Sequence, residues 1–339
     1  MENKEIADNY TSTGIKFWKH PYQMNNYKTG NPSTVISTHI SPTSKCNLSC
    51  EYCSVKLRKP NHIKLDVIKD YIEKLSTRGL EAVIITGGGE PTFYKQFNEL
   101  VHWLKYDQCL SLALITNGTN SKAVEDWDAF TWVRVSVNFF EGWKEKISLP
   151  LNKINKENTT IGMSFIDGAG ELEKRIEDLG FLKEKLGAKY IRILPDCLLP
   201  TEALEREHER INKIFQEYTL PLYGFFHQYK NHHAQKIATC HQAYFRPYLS
   251  EVDGGTVYPC DSIVLNDQNR FFHDKYRICR AEDILEFLDK NIEMHFTPYE
   301  DCEGCVFHNN IKMLEDFKYF GLDLFNETKD KTILHEEFV

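Results

Sequence analysis

Between residues 34 and 195 the chain alternates short apolar runs with stretches of helical spacing, and nothing else constrains its fold as tightly. Thr34–Ile40 alternates β-branched and polar residues and reads as a strand. Leu65–Arg78 follows with Val67, Ile68, Tyr71, Ile72 and Leu75 at helical spacing, Asp66 in the first turn and Gly79 at the stop. Ala82-Val83-Ile84-Ile85-Thr86 is an apolar run of strand length, the pattern of a parallel strand covered on both faces. The alternation then repeats: helix Tyr94–Tyr106 before strand Leu110–Thr116, and helix Ser121–Phe130 before strand Trp132–Asn138. An irregular stretch precedes strand Thr160–Ile166, and helix Glu171–Leu186 precedes strand Tyr190–Leu194. Six strands with mostly helical crossovers imply a parallel sheet with right-handed connections. In α/β barrels the chemistry gathers at the carboxyl ends of the strands, so the strand ends nominate the site.

The first strand runs into Cys46-Asn47-Leu48-Ser49-Cys50-Glu51-Tyr52-Cys53. Three thiols on one short loop can converge on a single inorganic centre, and thiolate is the ligand of iron–sulfur clusters and soft metals. Three ligands on a four-iron cubane leave one iron without a protein ligand, which suits catalysis by the logic that separates catalytic from structural zinc. A zinc knuckle is the alternative, although zinc ribbons prefer paired Cys-x-x-Cys units or added His, and no partner pair lies nearby. The loop resembles the signature of the radical S-adenosylmethionine (radical SAM) superfamily, including the aromatic Tyr52 before the third Cys. The resemblance implies a [4Fe–4S] cluster whose open iron is chelated by SAM, reductive cleavage to a 5′-deoxyadenosyl radical, and hydrogen abstraction from an unreactive C–H bond. It also implies an α/β fold with a partial (β/α)6 barrel.

The second strand ends in Thr86-Gly87-Gly88-Gly89-Glu90-Pro91. Glycines let a backbone approach a ligand closely, and Glu90 can accept from an ammonium; a tight turn into the next helix is the plain reading. The segment resembles the superfamily's Gly-Gly-Glu-Pro motif, which implies that Gly88, Gly89 and Glu90 hold the amino group of SAM. By the same resemblance Asn117, Ser136 and Asn138, at the ends of the third and fourth strands, are expected to contact the SAM ribose and carboxylate. Gly162 and Ser164 on the fifth strand are candidates to flank the adenine. Arg192 is the only charge in the apolar sixth strand, so it needs a partner, either a SAM or substrate carboxylate or a structural Asp or Glu. Cys197, just past that strand, is a candidate hydrogen-atom donor, its alternative being a small buried hydrophobe. Cys109 lies at the amino end of the third strand and reads as structural.

Ten cysteines without an export signal read as metal ligands or thiols of a reducing, cytoplasmic compartment. The last third of the chain holds five of them, with a hairpin between Tyr248 and Cys260 turning at Asp253-Gly254-Gly255. Cys240 and Cys260 flank the hairpin, and Cys302-Glu-Gly-Cys305 follows helix Ala281–Asn291. Four such ligands suit zinc or a cluster. After a radical SAM barrel they resemble the Twitch module, a truncated SPASM relative, which implies a second, auxiliary [4Fe–4S] cluster with Cys279 as a surplus thiol. The expected organisation is therefore an N-terminal strap over 1–32, a barrel over 33–220, and an auxiliary-cluster module with a tail over 221–339. His227, His232, His233 and His241 are too irregularly spaced for a metal site and read as a solvated loop.

No apolar run is long enough to span a membrane, and a net charge of −8 argues against nucleic acid as the main partner. The basic stretch Lys56, Arg58, Lys59 and Lys64 reads either as a solvated turn or as a dock for an acidic flavodoxin or ferredoxin-type electron donor. The expected substrate is a small polar metabolite, of carbohydrate type, undergoing epimerisation or oxidation. A ribosomal peptide and a non-catalytic iron–sulfur electron carrier are the alternatives.

Overall fold

The computed structural model describes residues 3–168, 170–196, 198–228, 240–264, 270–290 and 307–339. Seven parallel strands run in chain order: β1 (Ser37–Ile40), β2 (Ala82–Ile85), β3 (Ser111–Thr116), β4 (Phe130–Val137), β5 (Thr160–Asp167), β6 (Tyr190–Pro195) and β7 (Phe225–His227). The hairpin strands β8 (Tyr248–Ser250) and β9 (Thr256–Tyr258) and the short β10 (Cys279–Arg280) extend the same sheet beyond β1, in the order β10-β9-β8-β1-β2-β3-β4-β5-β6-β7. Six strands were legible; β7 was not, because its three residues are too few for alternation to register and run straight into a polar, His-rich stretch. The parallel β1–β8 pairing joins the C-terminal hairpin to the barrel, so the sheet crosses the boundary expected near residue 220.

Helix Leu65–Ser76 buries Leu65, Ile68, Tyr71, Ile72 and Leu75, one stripe at helical spacing, against the outside of the sheet. The crossover between β3 and β4 differs from expectation. Only Ser121–Ala123 forms a helical turn, of 3-10 type, because Asp126 Oδ1 accepts the backbone N–H groups of Asp128 and Ala129 and holds an irregular turn. Helix Leu172–Leu186 matches its expected position and stops at Gly187, whose φ of +63° suits glycine.

The amino ends of the strands are closed by the two ends of the described chain. Helix Asn3–Tyr10 and the turn Gly14–Lys19 place Tyr10 stacked on Tyr190 and Phe17 edge-on to Phe245. Phe338 packs under β2, β3 and β4 against Ile84, Ala113 and Trp132. The N-terminal segment expected as a strap is thus part of a plug, together with the tail. Lys16 is buried within it, donating to the carbonyls of Asn9 (3.3 Å) and His335 (2.8 Å).

Burial, assisted by Arg134, lowers the Lys16 ammonium from 10.5 to about 7. Between these values the unfolded chain holds a proton that the native chain has released, so stability rises with pH. From pH 7 to 8.5 this contributes about 2 kcal/mol. Thermal melts should show that rise in the wild type and its loss in Lys16→Met; equal slopes in the two proteins would contradict the assignment.

Candidate active site at the strand ends

The cysteine loop and the glycine strand end are built against each other. Past β1, the segment Ser41–Lys45 receives three backbone-side hydrogen bonds from the end of β2: Gly88 N–H to Ser41 Oγ (2.7 Å), Gly89 N–H to Thr43 O (3.1 Å) and Glu90 N–H to Lys45 O (2.8 Å). A side chain at Gly89 would place Cβ 2.2 Å from the Lys45 carbonyl oxygen, a backbone contact that cannot swing aside. At Gly88 the Cβ would lie 2.2 Å from Glu251 Oε1. Packing therefore requires glycine at 89, whereas a side chain at 88 would have to displace the Glu251 carboxylate. Gly89→Ala should cost about 1–3 kcal/mol by overpacking and detach the strand end from the cysteine loop. Melting temperature and iron retained after anaerobic reconstitution read the effect, and a wild-type value for both would contradict this packing.

Glu90 is buried, and three of its four donors fall on Oε1 while Oε2 accepts one. It accepts from Thr92 N–H (3.2 Å) and Oγ (2.8 Å), Thr116 Oγ (2.7 Å) and Asn117 N–H (2.6 Å). Burial pushes the carboxyl upward, and these hydrogen bonds work against that rise. This side chain, expected to meet an ammonium, also ties β2 to β3.

The three thiols are partly exposed, and each receives a side-chain N–H. Asn117 Nδ2 donates to Cys46 (3.9 Å), Asn138 Nδ2 to Cys50 (2.8 Å) and Arg58 Nη1 to Cys53 (3.3 Å). Asn117 and Asn138, expected at the ribose, thus face the cysteine loop from the ends of β3 and β4. Arg58 also donates to Ser44 O (2.7 Å) and Val55 O (2.8 Å), so it is a brace for the loop and not part of a solvated docking patch. Sequence reading missed that role because the basic run around Arg58 looks like any exposed turn. Burial and the neighbouring thiols raise the Cys50 thiol, while the Asn138 donor favours its thiolate. Among the described residues no three His, Cys, Asp or Glu side chains close to the spacing of a single-ion site. Three partly exposed thiols on one loop, each provided with an N–H donor, fit a sulfur-ligated cluster, since hydrogen bonds to sulfur stabilise thiolate and tune such centres.

Beside the loop lies a cleft of about 440 Å³ lined by Cys50, Tyr52, Asn138, Phe139, Phe165 and Asp167, among others. Tyr52 anchors one wall by donating to Val137 O (3.2 Å). Deeper inside the sheet, Thr86, Ser136 and Arg192 face a second cavity of about 320 Å³. Gly162, a candidate for the adenine, is taken up by the Tyr190 ring, which a Cβ there would meet at 2.1 Å. Ser164 accepts from Arg192.

A further residue not foreseen is Glu251, between the hairpin strands. It is buried, accepts from Ser41 Oγ (2.6 Å) and Ser250 Oγ (3.2 Å), and packs on Gly88. A single acidic residue in a turn carries no sequence signal for such a role. Cys240 is buried before the hairpin, and Cys260 is half-buried after it. Cys197, Cys302, Cys305, His232 and His233 lie outside the described residues. His227 is no loop residue; it sits buried on β7, bonded to His208 (2.8 Å) and Asn212 (2.7 Å). Burial and the acidic neighbours Asp283, Glu282 and Glu286 push Cys279 to about 12, the reverse of what a thiolate ligand needs.

Residues 40–164 match the Radical SAM superfamily. The S-adenosylmethionine-dependent nucleotide dehydratase of Selenomonas ruminantium is 38% identical over 84 residues, 25% of this chain and 30% of that protein. A GTP 3′,8-cyclase of Haemophilus influenzae is 30% identical over 166 residues, 46% of this chain and 45% of that one. The matches thus span less than half the length of these relatives. In fold, the chain is similar to Streptococcus suis SuiB bound to S-adenosylmethionine, with TM-score 0.55, 16% identity and coverage of 90% of this chain and 76% of that chain. It also resembles anSMEcpe with bound AdoMet, with TM-score 0.50, 16% identity and coverage of 89% and 93% respectively.

Proposed function

We propose that this chain, whose residues 40–164 match the Radical SAM superfamily, uses the loop Cys46–Cys53 to hold a SAM-binding [4Fe–4S] cluster and acts on a small polar metabolite. When bound, the cluster and SAM supply a 5′-deoxyadenosyl radical able to abstract hydrogen from an unactivated carbon. The chain's own part is to hold and orient. Cys46, Cys50 and Cys53 ligate, while Asn117, Asn138 and Arg58 direct N–H groups at those sulfurs and favour their thiolate form. Glu90 fixes the strand end, leaving the main chain of Gly87–Gly89 to meet the amino acid part of SAM, and Tyr52, Phe139 and Phe165 offer apolar walls to its adenosyl part. The observation that carries this reading is the three-point docking of the glycine strand end on the segment that leads into the thiols.

Substrate outcome divides into epimerisation, with Cys197 returning hydrogen, and oxidation through an auxiliary cluster held by Cys240, Cys260, Cys302 and Cys305. A flavodoxin- or ferredoxin-type protein is the proposed electron source, with Lys56, Lys59 and Lys64 as the cationic side chains left near the loop. The chain's similarity to a nucleotide dehydratase and a GTP cyclase favours a small-molecule substrate over a peptide. Anaerobically reconstituted protein, given dithionite and SAM, should release 5′-deoxyadenosine and methionine; their absence would remove the proposal.

A further inference from the structure

The cavity inside the sheet is lined by Lys16, Arg134, Arg192 and Arg246 among its side chains, against one carboxylate side chain among the described residues, Asp261. Strand alternation puts them there. Trp132, Arg134 and Ser136 project from one face of β4, and the register aligns Ser136 with Ser164 and Ser164 with Arg192 across β5 and β6. Gly162, one layer below, leaves room for the Tyr190 ring, whose hydroxyl accepts from Arg134 Nε at 3.2 Å. The second partner of Arg134 is the Tyr10 carbonyl at 3.1 Å. Among the described residues Arg192 is bonded to neutral groups, Ser164 Oγ at 3.1 and 3.2 Å and Gln228 Oε1 at 3.1 Å. Arg246 is 3% exposed; its Nη1 donates to Ser12 Oγ and Val339 O, while Nη2 has no hydrogen-bond partner among the described residues and lies 4.0 Å from Asp261.

The other titratable groups described around the cavity add no counter-charge. Burial holds His39 near 3 and His335 near 4, so both are neutral, and Lys16 is turned to the Asn9 and His335 carbonyls. Among the described residues no carboxylate is bonded to Arg134, which is buried, or to Arg192, which is half-buried, and a guanidinium drawn out of water is costly unless a counter-charge arrives. Arginine presents a planar fork that matches oxyanions bidentately.

We infer that this cavity binds an oxyanion group of the substrate, a phosphate or carboxylate held by Arg192 with Arg246 beside it. The inference rests on the radical SAM reading for its setting and narrows the substrate to a small anionic metabolite. A volume of about 320 Å³ admits a small molecule or the charged end of a larger one. Ser136 and Thr86, at the carboxyl-end rim of the same cavity, leave the uncharged part of that substrate facing the strand ends.

The test uses the full chain, reconstituted anaerobically, with inorganic phosphate and acetate as probes at constant ionic strength set by chloride. Phosphate, acetate or both should raise the melting temperature saturably, and the stronger of the two identifies the class of oxyanion. Arg192→Gln should weaken the response at least tenfold, and Arg192→Lys should restore part of it. SAM titrations of the wild type should give the same affinity with and without saturating probe. A response no greater than that to chloride, one unchanged in Arg192→Gln, or competition between probe and SAM would each overturn the inference, the last by placing the anion in the SAM site. Release of 5′-deoxyadenosine is scored separately on the wild type. Its failure with an intact probe response would sink the radical reading and leave the anion site standing.

Discussion

Cys46→Ala, Cys50→Ala and Cys53→Ala are each expected to reduce 5′-deoxyadenosine formation to the level of a protein-free blank. With two thiolates left, the cubane loses a corner ligand and the loop loses what gathers it, because metal binding and loop ordering share one free energy. The donors behind the sulfurs should show a graded effect. Asn138→Ala removes the 2.8 Å donor to Cys50 and should cost roughly 10–100-fold in cluster affinity or activity, the usual effect of losing a group that orients a metal ligand. Iron and sulfide content per chain, with product yield, reads both. Full activity in any of the three thiol variants would contradict the ligand assignment.

Glu90→Ala is the second large effect. Its carboxylate is the shared acceptor of Thr92, Thr116 and Asn117. The Asn117 backbone N–H cannot rotate to another partner, and stranding buried donors costs about 1–3 kcal/mol each. The hydroxyls can partly readjust, so a loss of about 3 kcal/mol and a fall in melting temperature of roughly 4 °C are expected. Activity should fall with stability, because β2 and β3 would lose the clamp that sets the glycine segment against the cysteine loop. Glu90→Gln keeps one acceptor oxygen but turns an NH₂ toward other donors, and should lie between alanine and wild type. A melting temperature within 2 °C of wild type in Glu90→Ala would show the clamp to be dispensable.

The barrel was legible because its strands are buried on both faces and its longer helices carry a clean apolar stripe, as in Ala82–Ile85 and Leu65–Ser76. The crossover over 121–130 was misread as a helix because Trp127 and Phe130 fall at helical spacing, while the Asp126 side chain captures the N–H groups a helix would need. Strand β7 was too short for alternation to register. At the site, the thiol loop and the glycine segment announced themselves through spacing, but the duties of single polar residues did not. Nothing local in the sequence announces that an Asn donates to a thiol, as Asn138 does here. Glu251 was invisible for the same reason; its partners Ser41 and Gly88 come from across the β1–β8 junction. The cationic cavity also escaped, because Arg134, Arg192 and Arg246 are distant in sequence and only the register brings them together.

The most direct test of the central claim is electron paramagnetic resonance of the dithionite-reduced, reconstituted protein, recorded before and after SAM is added. A reduced four-iron signal whose g values shift on SAM addition in the wild type, with that component missing in Cys50→Ala, is the predicted result. A wild-type spectrum indifferent to SAM, or protein that retains only zinc, would contradict it.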